Sequence, residues 1–574
     1  MEPRIPYPVQ GIGEFASSAA MAKSEAGIEL AVVVLVVARV VLPILHSQAG
    51  TLWREAAGVV ILTGVALFAD FQGRKQLLDH LKPRSSMSSG ILLGAVTVPT
   101  VLAARLLQHQ RSSSSTEISQ FATDRMKFEF WLAVACSTSM LLYLVSFLWK
   151  QKPSRWWLSS ILESSCTTVL VLTTFWRMSS VGATDGAVWA AVYIVGGKIL
   201  FTRVLETFPH TGTVGEVMLA VQGIVLYAAN AVGTLAADSD KEADQAVVDA
   251  LLQGLILGLL AMPVVLKRLH FRLPSVFGRL DDHRIPEKQS RIDMYMNHRA
   301  RSFYLLLLVV VLAAVPLWVG VVTGHVLNPV TWTLRFVWRR PVPRLILCCY
   351  WIVIICSPLP HLHRISHQKL VPKILIRKYY HVMIVFMFIP ALLSDARFLQ
   401  LAFGIAFAIF LVVEMIRIGK LPPCGHLIER FMVAFTDHRD SGSLIISHFS
   451  LLLGCALPVW LHAGAGDRPL AAYAGILSLG VMDTFASVVG FNFGSTRVSP
   501  NSKKTVEGTL AGIGSMLVSV FALIVVLPSS ARPAGVDGYL SLVAAVTGAG
   551  ILEAYTLQLD NAFIPLLFYA MLCL

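Results

Sequence analysis

Long apolar runs recur along the whole chain, and this recurrence constrains the fold more than any motif does. A helix needs roughly 20 consecutive apolar residues to cross the hydrocarbon core of a bilayer. Inside that core only helices or closed barrels satisfy every backbone polar group. Runs of this kind are Ile28–Leu45, Ala56–Phe71, Gly90–Leu107, Phe130–Leu148, Trp157–Trp176, Ala187–Phe201, Val214–Val232, Val247–Leu266 and Phe303–Val322. A C-terminal group follows: Leu345–Leu359, Val382–Leu393, Phe398–Ile416, Leu444–His462, Leu470–Gly490, Leu510–Leu527, Tyr539–Tyr555 and Ala562–Leu574. They predict an all-α, polytopic integral membrane protein with about 15–17 transmembrane helices, several broken by Gly or Pro. Only 14% of the 574 residues are charged, against roughly a quarter in a soluble chain.

The net charge of +13 sits in short loops beside apolar runs, chiefly Lys267–Arg301 and His363–Lys378. That placement predicts cytoplasmic loops facing anionic lipid, not a nucleic-acid surface. The eight cysteines show no C-x-x-C spacing, so neither a metal site nor a disulfide framework is indicated. The polar start of the chain lacks the layout of a cleaved signal peptide, so the first membrane helix is the expected targeting signal. The serine run Arg111–Gln120 reads as a flexible loop. Three parts are expected: a polar N-terminal segment (1–26), a multi-helix membrane region (27–370) and a C-terminal catalytic membrane region (371–574). In the last part polar clusters press against helix ends.

Asp483 lies within an apolar run, where a carboxylate is costly unless it faces a cavity or partner. At helical spacing Asp483, Ser487, Gly490 and Gly494 share a face, which suits a ligand or, alternatively, a close-packed neighbouring helix. Next comes "STRVSPNSKKTVEGT". Lys503 and Lys504 suit phosphate oxygens. Thr505, Gly508 and Thr509 open the following helix, whose free N–H groups favour an anion. Glu507 could hold magnesium or orient a lysine. The bland reading is an interfacial basic loop and a helix cap. Glu553, Asp560 and Asn561 follow; Glu553 and Asp560 face one way if the helix continues between them, or simply cap two helices. "RKYYH" offers Arg377, Lys378 and His381, and "DHRDSG" offers Asp437 and Asp440, with Glu414 nearby. Metal binding, substrate binding and plain salt bridges are all open to these residues. Arg39, Glu163, Lys198 and Glu216 read as snorkelling or interhelical charges without chemistry.

The order and spacing of "RKYYH", "DHRDSG", "LLLGCALPVW", "MDTFASVVGFNFG", "SKKTVEGT" and "LEAYTLQLDN" over Arg377–Pro565 resembles the dolichol kinase family. Met482 departs from it by replacing the glycine usual before the Asp. The resemblance implies a multi-pass endoplasmic reticulum membrane enzyme with its CTP site facing the cytoplasm. It would transfer the γ-phosphate of CTP to the hydroxyl of dolichol, giving CDP and the dolichyl phosphate carrier of protein glycosylation and GPI-anchor synthesis. The family's nucleotide-binding segment corresponds to about Asn492–Glu507. The candidate binding residues are therefore Gly490, Asn492, Phe493, Gly494, Ser495, Thr496, Arg497, Val498, Ser499, Pro500, Asn501, Ser502, Lys503, Lys504, Thr505, Val506, Glu507, Gly508 and Thr509.

In the mechanism expected from these residues, Lys503 and Lys504 neutralise the CTP phosphates. Asp483 with Glu507 or Asp560 holds Mg²⁺. Gly490 and Gly494 let the backbone approach the nucleotide. Asp483 or His381 accepts the dolichol proton. A CTP:phosphatidate cytidylyltransferase shares the Asp/Gly/Lys pattern, but its H-G-G-x-x-D-R segment is absent. A phytol or other polyprenol kinase would differ only in the alcohol. A transporter would need internal repeats, and none is visible.

Overall fold

Every apolar run that falls in a described segment becomes helix, and no multi-residue strand forms among the described residues. The structure, a computed structural model, describes residues 12–46, 52–112 (except 82, 85 and 87), 117–150, 184–235, 243–271, 285–324, 328–357, 373–433, 440–462 (except 441), 469–528 (except 501) and 532–574 (except 534). The expected run Trp157–Trp176, Glu163, Asp437 and Asn501 lie outside these residues.

In chain order the helices are α1 (Ile12–Leu45), α2 (Trp53–Leu81), α3 (Ile91–Ser112), α4 (Glu117–Lys150), α5 (Thr184–Thr207), α6 (Val214–Gly233) and α7 (Ala243–Phe271). Next are α8 (Ile285–Val309), α9 (Val315–Thr323), α10 (Pro329–Arg339), α11 (Pro341–Cys356), α12 (Lys373–Ser394), α13 (Ala396–Gly419) and α14 (Gly425–Val433). The last five are α15 (Ile446–His462), α16 (Asp483–Phe493), α17 (Val506–Val526), α18 (Gly535–Tyr555) and α19 (Asp560–Leu572). α8 runs into α9 through one wide π-helical stretch, Val310–Ala314, and a second, Ile476–Met482, leads into α16.

Ten helical stretches among the described residues are long and apolar enough to cross a membrane. Three of the expected runs form shorter apolar helices, α11, α15 and α19. Ala56–Phe71, Ala187–Phe201 and Val382–Leu393 lie within α2, α5 and α12, which also carry charged turns. The expected boundary at residue 26 falls inside α1, which continues unbroken from the polar segment into the first span.

Two apolar cores form, and they interleave along the sequence. One joins α1–α6 to α17–α19 and the segment before α16. The other joins α7–α13 and α15 to Ile476 and Leu479. The N-terminal helices therefore pack directly on the C-terminal ones. At one junction α3 meets the start of α6 so closely that a Cβ on Gly94 would stand 2.3 Å from the Gly215 carbonyl oxygen. Arg39 donates to the Ser541 carbonyl (2.7 Å) and hydroxyl (2.9 Å), tying α1 to α18. Arg84 and Glu216 form a buried ion pair at 2.6 Å, and Glu216 also accepts from the Leu559 backbone N–H at 2.9 Å. Glu216 is thus the interhelical pair its sequence context suggested. It also fixes the loop that leads into α19.

Candidate active site

The wide π-helical turn Ile476–Met482 delivers Asp483 to the first position of α16, buried. Such turns displace the residues that follow from regular helical register and frequently mark functional sites. Lys378 and His381, one turn apart on α12, both reach its Oδ2: Lys378 Nζ at 2.5 Å and His381 Nδ1 at 2.9 Å. Oδ1 is left without a hydrogen-bond partner among the described residues. His381 Nδ1 also lies 3.1 Å from the Leu479 carbonyl oxygen. A carbonyl can only accept, so Nδ1 carries the hydrogen and Nε2 is the basic nitrogen of the neutral ring. Beside Asp483, the Thr484 hydroxyl is buried and has no hydrogen-bond partner among the described residues.

Between α16 and α17 the chain folds back on itself. Arg497 and Thr505 form an antiparallel bridge. Val498 N–H donates to the Lys504 carbonyl (3.0 Å) and Val506 N–H to the Thr496 carbonyl (2.9 Å). Thr505 caps α17 by accepting from Gly508 N–H at 3.2 Å, as N-cap threonines do. Extended backbone alternates its side chains. Lys503 accordingly points outward and is exposed, while Lys504 points inward. Lys504 Nζ lies 3.0 Å from Glu553 Oε1 and donates to the Glu553 backbone carbonyl. Burial alone would lower the Lys504 pKa. The Glu553 carboxylate, with Asp560 and Asp483 further off, outweighs that and holds it above the ordinary lysine value.

The candidate carboxylates separate into different tasks. Glu553 ends α18 and Asp560 begins α19, so the helix does not continue between them. Both nevertheless act on Lys504 across the intervening turn. Glu507 accepts from the Ser495 hydroxyl at 2.6 Å and the Thr496 N–H at 3.0 Å, so it closes the hairpin. Glu414 pairs with Arg417 at 2.6 Å and accepts from Ile445 N–H at 2.8 Å. Asp440 accepts from the Ser447 N–H (3.2 Å) and hydroxyl (2.9 Å) at the start of α15. Glu414 and Asp440 therefore hold helix ends in place, while Arg377 takes no part in the Asp483 contact. Asn561 is buried in the first turn of α19.

The glycines serve packing. A Cβ on Gly508 would stand 2.4 Å from the Ala486 carbonyl oxygen, and one on Gly490 2.8 Å from the Thr505 hydroxyl. Gly490 and Gly494, expected to let the backbone approach the nucleotide, both face Thr505, and small residues here let α16 and α17 touch. Asn492 donates to the Val488 carbonyl of its own helix at 2.9 Å, and Phe493 is exposed.

Among the described residues no group of three or more His, Cys, Asp or Glu gathers around a point where it could hold a metal. The expected set of Asp483, Glu507 and Asp560 is thus not assembled into a cage. Magnesium needs only one or two carboxylates when substrate phosphates and water complete its shell. The free Oδ1 of Asp483 fits that role, and Asp560 lies within electrostatic reach of the same lysine.

Two contacts come from a helix that the motifs do not cover. Glu25 on α1 accepts from the Ser499 hydroxyl at the hairpin tip, and Glu29 accepts from Leu557 N–H at 3.0 Å. Glu29 was detectable in principle: it is the second residue of the first apolar run, where a carboxylate needs a reason.

Comparison with known proteins bears on the same region. The family model described as Dolichol kinase matches residues 199–512. The chain is 40% identical over 524 residues to Dolichol kinase EVAN of Arabidopsis thaliana, covering 87% of this chain and 90% of that protein. It is 36% identical over 258 residues to the dolichol kinase of Homo sapiens, covering 42% of this chain and 46% of that protein. The dolichol kinase of Saccharomyces cerevisiae is 30% identical over 259 residues, 43% of this chain and 44% of that protein. No solved structure matches.

Proposed function

Because this chain belongs to the dolichol kinase family and so phosphorylates dolichol within a membrane, we propose that CTP is its donor, that Mg²⁺ accompanies the nucleotide, and that the Lys504 hairpin receives it. The observation that carries this reading is the half-buried Lys504 ammonium, 3.0 Å from Glu553 Oε1, with the Asp483 and Asp560 carboxylates of two further helix ends acting on the same charge from further off. A lysine paired with a carboxylate can exchange it for anionic phosphate oxygens when a divalent cation accompanying the nucleotide would offset the neighbouring negative charge. Lys503, exposed one residue away, meets the incoming phosphates first.

The proton path follows from the ring geometry. Asp483 and the Leu479 carbonyl hold His381 Nδ1 protonated, which leaves Nε2 to accept the dolichol hydroxyl proton. Asp483, neutralised by Lys378 through Oδ2, acts as orienter, and its Oδ1 would be the carboxylate oxygen available to hold Mg²⁺ brought with the nucleotide. The hydroxyl oxygen then bonds to the γ-phosphorus, the bond from that phosphorus to the bridging oxygen breaks, and CDP leaves. When bound with the nucleotide, Mg²⁺ supplies charge neutralisation across the phosphate oxygens. Lys504 shares that work and is released from Glu553 as the phosphates arrive. The isoprenoid chain stays in lipid against the apolar outer faces of α16 and α17, where Phe485 and Leu510 are exposed.

The reading extends to the endoplasmic reticulum membrane, with the hairpin on the cytoplasmic side where CTP is available, and to a product that feeds protein glycosylation and GPI-anchor synthesis. Membranes holding the protein, given γ-labelled CTP and dolichol, test it. Label in a chloroform-soluble product supports the kinase, with unlabelled CTP competing better than ATP. Label released as pyrophosphate, or equal use of ATP, overturns the donor assignment.

A further inference from the structure

The N-terminal helix reaches both halves of the site. Glu25 and Glu29 lie one turn apart on α1 and are buried, as are the hydroxyl residues they meet, Ser499 and Thr556. Glu25 accepts from the Ser499 hydroxyl, at the tip of the hairpin that carries Lys504. There the turn is closed by Ser502 N–H donating to the Ser499 carbonyl at 3.0 Å. Glu29 accepts from the Thr556 hydroxyl (3.2 Å) and the Leu557 N–H (3.0 Å), in the turn between Glu553 and Asp560. Further along, α1 is tied to α18, the helix that ends in Glu553, through Arg39 and Ser541.

Two like charges one turn apart on a helix repel each other, and buried carboxylates within a membrane need donors. Helix packing alone could supply such donors anywhere along α1. Here each carboxylate takes a donor from one of the two connections that carry site residues, Glu25 from the hairpin and Glu29 from the 556–557 turn as well as from Ser88. We propose that α1 is a positioning element of the transfer site, with Glu25 setting the donor-binding hairpin against the Glu553–Asp560 turn that Glu29 holds. The inference rests on the reading of the hairpin as the nucleotide site. It gives the N-terminal region a share in nucleotide binding: Glu25 and Glu29 touch neither substrate and act through Ser499 and the 556–557 turn.

The test is kinetic, on the full chain in membranes. Glu25→Ala and Ser499→Ala each raise KM for CTP about tenfold, equivalent to the ~1.4 kcal/mol of one hydrogen bond to a charged group. KM for dolichol stays unchanged. The double variant is no worse than either single one, because both remove the same contact. Glu25→Gln, which keeps an accepting oxygen, restores most of the affinity. Unchanged KM for CTP in folded Glu25→Ala and Ser499→Ala overturns the inference. So does a loss that falls equally on both substrates, which is what a merely structural contact gives. If Glu25→Ala fails to fold, Ser499→Ala and Glu25→Gln still decide. Lys504→Ala separates the two levels. If it too leaves KM for CTP unchanged, the hairpin is not the donor site. If it raises KM and the α1 variants do not, only the α1 inference fails.

Discussion

His381 and Asp483 face each other across two helices, Nδ1 to Oδ2 at 2.9 Å, with the Leu479 carbonyl 3.1 Å from the same nitrogen. This pairing assigns the ring hydrogen and separates two residues that look interchangeable as bases in the sequence. Asp483 already carries Lys378 on the oxygen that faces the ring. That oxygen is occupied by two partners, and the open base is the far nitrogen of His381.

Replacing His381 by Gln is expected to lower turnover by about 10²–10⁴-fold, the usual contribution of a general base. The pH profile adds a sign. A base must be unprotonated, so the wild-type rate climbs with pH along an acidic limb and then levels. In His381→Gln that acidic limb disappears. A variant that keeps the limb at full amplitude shows the proton going elsewhere.

Asp483→Asn preserves shape and removes charge. Lys378 is then a half-buried ammonium without its counter-ion, and His381 loses its orienter. Transfer of label from γ-labelled CTP should fall by at least about 10²-fold, as for loss of a preorganised electrostatic contact. Near-normal transfer would exclude Asp483 from the reaction.

Lys504 is held protonated by Glu553, 3.0 Å away, against the opposing effect of burial. A raised folded-state pKa means that the ammonium's stabilising contribution is complete below the unfolded value of about 10.4 and is lost only as pH rises through the higher folded value. Glu553→Gln removes the principal raising charge. Its alkaline loss of nucleotide affinity should therefore begin at lower pH than in the wild type. A profile of KM for CTP against pH checks this, and coincident alkaline limbs would refute it.

Gly508→Ala places a methyl group against the Ala486 carbonyl, where 2.4 Å is available. Helices α16 and α17 must part, and we expect a loss of about 1–3 kcal/mol, typical of overpacking. Gly514, on the same helix, has nothing within 4 Å of its missing Cβ. Gly514→Ala should be neutral or should gain up to about 1 kcal/mol from helix propensity. Thermal midpoints of the two variants in detergent make the comparison, and equal shifts would contradict the packing role.

Arg84→Met breaks the buried pair with Glu216 and leaves its carboxylate with only the Thr213 and Leu559 backbone N–H groups. Removing one partner of a buried pair costs about 3–5 kcal/mol. Because Glu216 also positions the turn before Asp560, the residual folded protein should lose activity too. Arg84→Met with Glu216→Gln together should recover much of the stability; no recovery would mean the pair is not coupled.

The polar residues of the site were legible as types and only partly as roles. Asp483 and Lys504 stood out because charge inside or beside an apolar run requires a partner. The division between Lys503 and Lys504 was not legible, since neighbouring residues look alike until the backbone becomes extended and sends them to opposite sides. Glu507 read as a metal ligand because a carboxylate beside two lysines suits one. The hairpin gives it nearer donors, Ser495 and Thr496. The glycines read as room for a ligand; that they also let α16 and α17 close on Thr505 and Ala486 was not legible, because the contact depends on how the two helices meet.

The amino-acid sequence by itself determined the membrane class, the helix-forming runs and the order of polar clusters, because apolar length and charge placement are local properties that the bilayer sorts directly. Which clusters meet was decided only by tertiary packing. Ser499 and Glu25 are 474 residues apart, and Lys378 and Asp483 are 105 apart. No local pattern encodes such distances. They close because the N-terminal helices share one apolar core with the C-terminal ones, and that shared burial carries α1 to the hairpin.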